Sequence, residues 1–432
     1  ACAEIEADAA ATPTLPDPSQ PLEVDLGGGV RAAIPLALWA DRRGTMPHRA
    51  PGQGSEQVPG DRTKSDPKQV PGDATHRLQQ AERLAAVALA WGVIQHFHPT
   101  LDDAETDWAG ALGPALDRAA AVASDLELLP VLEEMAAKLR DANAWVSHRD
   151  VGATHRLPFD AAWVEGQIVV TEVSAAETRL RRGDRLLTLD GQPLLEKLAE
   201  IERRTPGATA AARRAEALAV AWSGNSGDVV RLGVERRGAE PFEVEIGKTL
   251  PLATVVAQEK FFTEVRPRVF YLDLRRLRDS EFEALLPLIA NARGLIFDLR
   301  GAPTTSNRVV ASLIDRPSQS SSWQIPISLL PDRREREWLS TFWNVLPRPP
   351  KLGAKVAFLA NERAVGYAET LLAIAESQGW EIVGAPSGGS NGTINWLNLP
   401  RGFRIAWTGM RVLGTNGQSL QGRGIAPTIP VR

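Results

Sequence analysis

The chain has almost no cysteine. Cys2 is the only one in 432 residues, so no internal disulfide can form and packing and hydrogen bonds must hold the fold together. No apolar run reaches the roughly 18–20 residues that a helix needs to cross a bilayer. Neither sign of charge is in excess: 49 Lys and Arg against 53 Asp and Glu leave a formal net charge of −4. That balance removes the electrostatic case for nucleic-acid binding. What is present suits a globular protein, 43% hydrophobic and 24% charged, and long enough for two or three domains.

Composition divides the chain. Residues 1–21 are rich in Ala, Pro and Asp and read as a linker or tether. Residues 22–150 come next. Leu22 to Val30 and Ala33 to Leu38 read as short strands around a glycine turn. Residues 48–75 have few apolar side chains and contain Gln-Val-Pro-Gly-Asp twice, so a disordered loop is expected there. From His76 to about Arg140 apolar residues recur at helical spacing in three runs: Leu84 to Phe97, Trp108 to Ala119 and Leu128 to Leu139. Pro99 ends the first. His96 and His98, two apart, do not share a helix face, so the pair suits a helix end rather than a metal site. In residues 151–250, Ile168 to Val173, Val229 to Arg236 and Phe242 to Ile246 read as strands, with a helical insert over 195–226. Residues 251–432 alternate strand and helix. Val269 to Leu274 and Gly294 to Gly301 are near-continuous apolar runs, as in strands buried on both faces.

Two stretches near the C-terminus carry the chemistry. Lys355 to Glu369 is an apolar strand, a small-residue turn and a helix starting at about Tyr367; Ile382 to Gly392 is a strand ending in a Gly-rich loop. Together they resemble the catalytic core of the S41 serine peptidases (tail-specific, C-terminal-processing and tricorn-core proteases). Leu180 to Leu194, with Gly183-Asp184 and Asp190-Gly191, resembles the signature of their PDZ modules. Such modules bind extended C-termini by strand addition; the alternative is a rigid spacer. The resemblance implies an α/β multidomain fold: an N-terminal helical bundle, a PDZ-like β domain and a C-terminal ClpP/crotonase-like α/β core.

Serine-type hydrolysis needs a nucleophile, a base and oxyanion donors. The family's nucleophile lies three residues before the glutamate of Ser-x-x-Glu, and that position is Gly366, which has no side chain. The lysine of one branch falls at about Asn391, so the chain is closer to the tricorn-like histidine branch. There the pattern Leu-x-Asp-Gly-His aligns with Leu139 to Asn143 and puts Asn143 at the base position. An amide cannot act as general base near neutral pH. His148 would serve only in a shifted register. The acid position aligns loosely with Gln421. The oxyanion N–H is expected at Gly301 or Ala302, and Asp298 with Arg300 reads as a strand-end ion pair. Ser377, Ser387 and Ser390 lie off the pattern. Substitution at separated slots points to decay or repurposing rather than one inactivating change.

The resemblance implies a peptide or protein C-terminus as partner, with Gly183 and Asp184 in the peptide-binding turn, and no metal or other cofactor. Ala1-Cys2 followed by residues 3–21 resembles the end of a bacterial lipoprotein signal, which implies a lipid on Cys2 and a periplasmic or cell-envelope address. The expected function is an S41 homologue that binds extended peptides with impaired or lost proteolysis. An active S41 endopeptidase and a PDZ-like scaffold remain as alternatives.

Overall fold

The computed structural model describes residues 22–27, 30–34, 72–101, 106–254, 256, 260–327, 336–414 and 416–431. Residues 1–70 and 71–432 form two compact units. In the first, Leu22–Gly27 and Val30–Ile34 make an antiparallel hairpin. The sequence reading joined this hairpin to the helices that follow; its strands pair only with each other among the described residues. Cys2, residues 1–21 and nearly all of 48–75 lie outside the described residues. The exception is the end of that loop, where helix α1 already begins at Gly72.

The second unit opens with three helices: α1 (Gly72–Phe97), α2 (Leu112–Ala121) and α3 (Asp125–Ala137). The Ser124 hydroxyl accepts from the Glu127 N–H and caps α3. Val87, Ile94, Leu128, Leu132 and Met135 pack their shared core. Phe403, Ile405 and Trp407 belong to the same core although they come from the far end of the chain. They arrive on the hairpin Ile394–Asn398/Phe403–Thr408, whose second strand pairs antiparallel with Val146–His148. The pairing ties the C-terminal segment to the end of the bundle.

Residues 155–251 hold an antiparallel sheet in which Phe242–Gly247, Val229–Glu235, Arg185–Leu189, Gln167–Val173 and Phe159–Val164 follow one another in space. The expected helical insert is α4 (Leu194–Glu202) and α5 (Ala210–Trp222), which bury Leu198, Leu218 and Trp222 against this sheet. Thr209 caps α5 by accepting from the Ala212 N–H.

The C-terminal sheet runs Phe262–Arg266, Val269–Asp273, Gly294–Asp298, Lys355–Ala360, Glu381–Gly384, Ile429–Pro430; the first pair is antiparallel and the rest parallel. Helices α6 (Asp279–Ile289), α7 (Arg308–Ala311) and α8 (Tyr367–Ser377) accompany it. Phe297 and Phe358, both fully buried, stack with centroids 5.3 Å apart on adjacent central strands. Each such burial is worth about 2–3 kcal/mol. Ala368 to Ala375 of α8 are buried without interruption. The chain is therefore a mixed α/β multidomain protein.

Candidate active site

The site grows from the turn between Lys355–Ala360 and α8. The Ala364 N–H closes onto the Asn361 carbonyl at 2.9 Å. Gly366, the residue before the helix, has φ 59° and ψ −119°. That backbone is costly for a residue with a Cβ and natural for glycine. It is also the sharp strand-to-helix geometry that lifts a nucleophile clear of a sheet. A Cβ built on Gly366 meets nothing within 4 Å, so a side chain there would project into open space. One turn into α8, Glu369 is fully buried. Its Oε1 accepts from the Ser387 hydroxyl at 2.6 Å and the Gly389 N–H at 2.7 Å. Its Oε2 has no partner among the described residues. Burial pushes this carboxyl up to about 7 although the Ser387 hydroxyl and nearby backbone N–H groups pull it down.

The facing wall is the end of the helical bundle. Asp141 is fully buried. It accepts from the Ser390 hydroxyl (2.8 Å), the Thr408 hydroxyl (2.6 Å), the Thr408 N–H (2.7 Å) and the Asn143 N–H (3.0 Å). His98 Nε2 lies 3.4 Å from Oδ2. Burial would raise the Asp141 carboxyl, but His98 and Thr408 outweigh it and hold the group at about 2. Since the Thr408 hydroxyl proton points to Asp141, its oxygen accepts from Asn143 Nδ2 at 2.9 Å. The Asn143 side chain, which the resemblance aligns with the family's base, is thus a held, neutral amide.

Ser390 joins the two walls. Its hydroxyl oxygen receives the Ala142 N–H at 3.2 Å, and its carbonyl receives the Gly366 N–H at 2.8 Å. The segment carrying Asn143 and the Gly366 turn are each one hydrogen bond from the same residue. Gln421 joins them: its Nε2 donates to the Arg140 carbonyl at 2.7 Å. The sequence quoted Asp141 and Glu369 only as parts of motifs. Their roles, and that of Thr408, depend on contacts across 267 and 18–20 residues of chain, which no local pattern encodes.

Other expected residues are placed differently. The Gly301 N–H donates to the Leu299 carbonyl at 2.8 Å within its own turn, so it is already taken as an oxyanion donor; Ala302, next in that turn, is exposed. This turn and the Gly366 turn leave neighbouring parallel strands at the same end, where Asp298 pairs with Leu359. Asp298 and Arg300 form the expected ion pair at 2.7 Å, and Tyr271 donates to the same carboxylate. Asp184 is buried, with its carboxylate held by Arg236 at 2.8 and 2.7 Å and by the Arg181 N–H at 2.7 Å. With Gly183 at φ 93° it builds a turn, and its oxygens are not open to a peptide. His148 is buried between the Asp150 N–H on Nδ1 and the Arg401 carbonyl on Nε2, so the shifted register brings no base. Ser377 donates to the Ile374 carbonyl, and Asn391 Nδ2 to Thr370. Among the described residues no group of three or more His, Cys, Asp or Glu is placed to hold a metal ion, and no helix is long and apolar enough to cross a membrane.

Beside these walls lies a cavity of about 850 Å³. Asn143, Val365 next to Gly366, Arg363 and one side of α5 line it.

Residues 268–431 match the model of peptidase family S41. No curated protein matches the chain significantly in sequence. Among solved structures, the fold is similar to mature CPAF complexed with lactacystin, at 16% identity and a TM-score of 0.65, over 82% of this chain and 94% of that one. A CPAF mutant gives 15% identity and a TM-score of 0.67 over 82% and 93%. At such identities the likeness is one of fold. The matched segment contains the parallel strands, the Gly366 turn with α8, Glu369 and the Ser387–Ser390 loop, and with it the chain carries a peptidase family S41 domain.

Proposed function

We propose that this protein is a proteolytically silent S41 homologue of the cell envelope, which holds an extended peptide in the cavity beside Gly366 without cutting it. The observation that carries the proposal is the Gly366 turn. The backbone has the form that presents a nucleophile, the space above it is open, and no hydroxyl is there. In the lining shared with Val365, Asn143 offers an amide bonded to Thr408 in place of a base. Loss of nucleophile and base together removes on the order of a millionfold in rate. Nearby serines do not substitute, because Ser387 and Ser390 are buried with hydroxyls committed to Glu369 and Asp141. The Gly/Asn-rich loop at 387–392, with Asn391 where the other branch has lysine, supports the histidine branch. The Ala1-Cys2 sequence supports a lipid anchor, read out by palmitate labelling that disappears in Cys2→Ser.

The test pairs a fluorophosphonate probe with fluorogenic peptides on the purified full chain. No labelling and no turnover are expected, with peptide retained in a pull-down. Labelling of a single serine, lost when that serine is replaced, overturns the proposal. The double variant Gly366→Ser/Asn143→His adds a second reading: peptidase activity there identifies the turn as a former nucleophile site.

A further inference from the structure

If the cavity beside Gly366 is a peptide site, its wall also states which side chain it prefers. Its charged lining separates into neutralised and open groups. Arg156 is paired with Asp160. Arg204 lies 3.6 Å from Glu133. Arg363 donates to the Ala161 carbonyl at 3.0 Å and opposes the rise of the Glu216 carboxyl. Glu216, on α5, has no Lys or Arg nitrogen within 4 Å among the described residues, and Glu362 likewise has none. The lining carries three cations (Arg156, Arg204, Arg363) and three carboxylates (Asp160, Glu216, Glu362), and because Arg156 is held by Asp160 and Arg204 by Glu133 outside the lining, Arg363 is left facing the two carboxylates of Glu216 and Glu362.

Glu216 is reachable from the cavity, yet the surrounding walls push its carboxyl above its ordinary value, with Arg363 opposing. A carboxylate with no cation at contact distance gains from an incoming one. Its neighbours along α5, Ala212, Ala215, Ala219 and Val220, also line the cavity and are small or apolar. They suit the aliphatic stem of a lysine or arginine with its charged head on the acid. Trp222 lines the same wall; it is buried, and its indole N–H has no partner among the described residues. A buried donor of that kind is satisfied by an acceptor such as a peptide carbonyl.

We infer that Glu216 is a specificity-determining residue and that the cavity selects peptides carrying a lysine or arginine side chain. This rests on the peptide-binding reading above. The test uses the full chain and three pools of fluorescein-labelled heptapeptides, random except for lysine, norleucine or glutamate at the centre, followed by fluorescence anisotropy. The lysine pool should bind about tenfold more tightly than the norleucine pool, an ordinary size for one close charge pair. Glu216→Gln should abolish that preference while leaving norleucine binding unchanged, and Glu216→Lys should turn it toward the glutamate pool. Glu216 is not a core residue of α5, and unchanged circular dichroism checks that each variant is folded. Equal binding of the lysine and norleucine pools by the unaltered protein overturns this inference and spares the peptide-binding reading, as does a lysine preference that survives in Glu216→Gln. Failure of all three pools to bind overturns both.

Discussion

Replacing Asp141 with asparagine tests the joint between the helical bundle and the S41 domain. The carboxylate is fully buried and receives the Ser390 hydroxyl, both donors of Thr408 and the Asn143 N–H. An asparagine of the same shape puts an NH₂ group where donors converge and removes the charge. The part due to ionisation follows from the carboxyl lying at about 2 instead of 3.8. At about 1.4 kcal/mol per pH unit, that is about 2.5 kcal/mol of stability. Mispairing of one donor adds about 1 kcal/mol, so Asp141→Asn should cost about 3.5 kcal/mol at pH 7. The sign is fixed by linkage. A depressed carboxyl contributes fully above about pH 4 and loses its contribution as pH falls toward 2. The gap between the two proteins should therefore be constant from pH 7 to about 4 and narrow below that. Urea unfolding followed by tryptophan fluorescence measures it, with Trp108 and Trp407 buried in the bundle core. A cost below 0.5 kcal/mol at pH 7, or a gap that stays the same down to pH 2, refutes the reasoning.

Glu369 should give the opposite pH dependence. Its carboxyl is raised to about 7, so its contribution is full below about pH 4.5 and falls by about 3 kcal/mol as pH rises to 7; Glu369→Gln should flatten that part of the stability profile, and an unchanged slope counts against it. Arg236→Ala leaves the Asp184 carboxylate buried and unpaired, which should cost about 3–5 kcal/mol in urea unfolding; a loss under 1 kcal/mol means Asp184 is not held as described. Gly366→Ala meets no neighbour but must adopt φ 59°, so it should lower stability by about 1–3 kcal/mol, and a stabilised variant contradicts the backbone geometry.

How much of this was legible depended on the range of the interactions. Helical spacing from Leu84 to Leu139 gave the three helices, and the apolar runs at Val269 and Gly294 gave parallel central strands. Those patterns are local and set by periods of 3.6 and 2. The small-residue turn before Tyr367 fixed the start of α8. The hairpin at 394–408 was not read from the sequence, because β alternation says which face is buried and not against which partner. Its apolar face lies on the bundle rather than on the C-terminal sheet. From that one placement follow Thr408 beside Asn143 and the network around Asp141, and so the side of the site that sequence pattern left blank. Asp184 shows the converse. The Gly183-Asp184 turn was readable, but the arginine that occupies its carboxylate lies 52 residues on.

The sharp strand-to-helix turn at Gly366 is held by the structure around it. The residues that hold the Gly366 turn are also those that hold the domain together. Its N–H is bonded to Ser390, its carbonyl receives the Thr370 N–H, and the Gly388 N–H closes onto Ala364. Ser390 is in turn bonded to Asp141, and Ser387 to Glu369 and to the Ile425 N–H. Loosening the turn would orphan buried polar groups in the bundle, in the Gly-rich loop and in the C-terminal segment at once, at about 1–3 kcal/mol each. Glycine at 366 costs none of these bonds, because it supplies the required φ without a Cβ. The geometry of the turn is therefore kept by the folding of its neighbours, without help from a side chain at 366. A cleft kept open in that way remains available for binding.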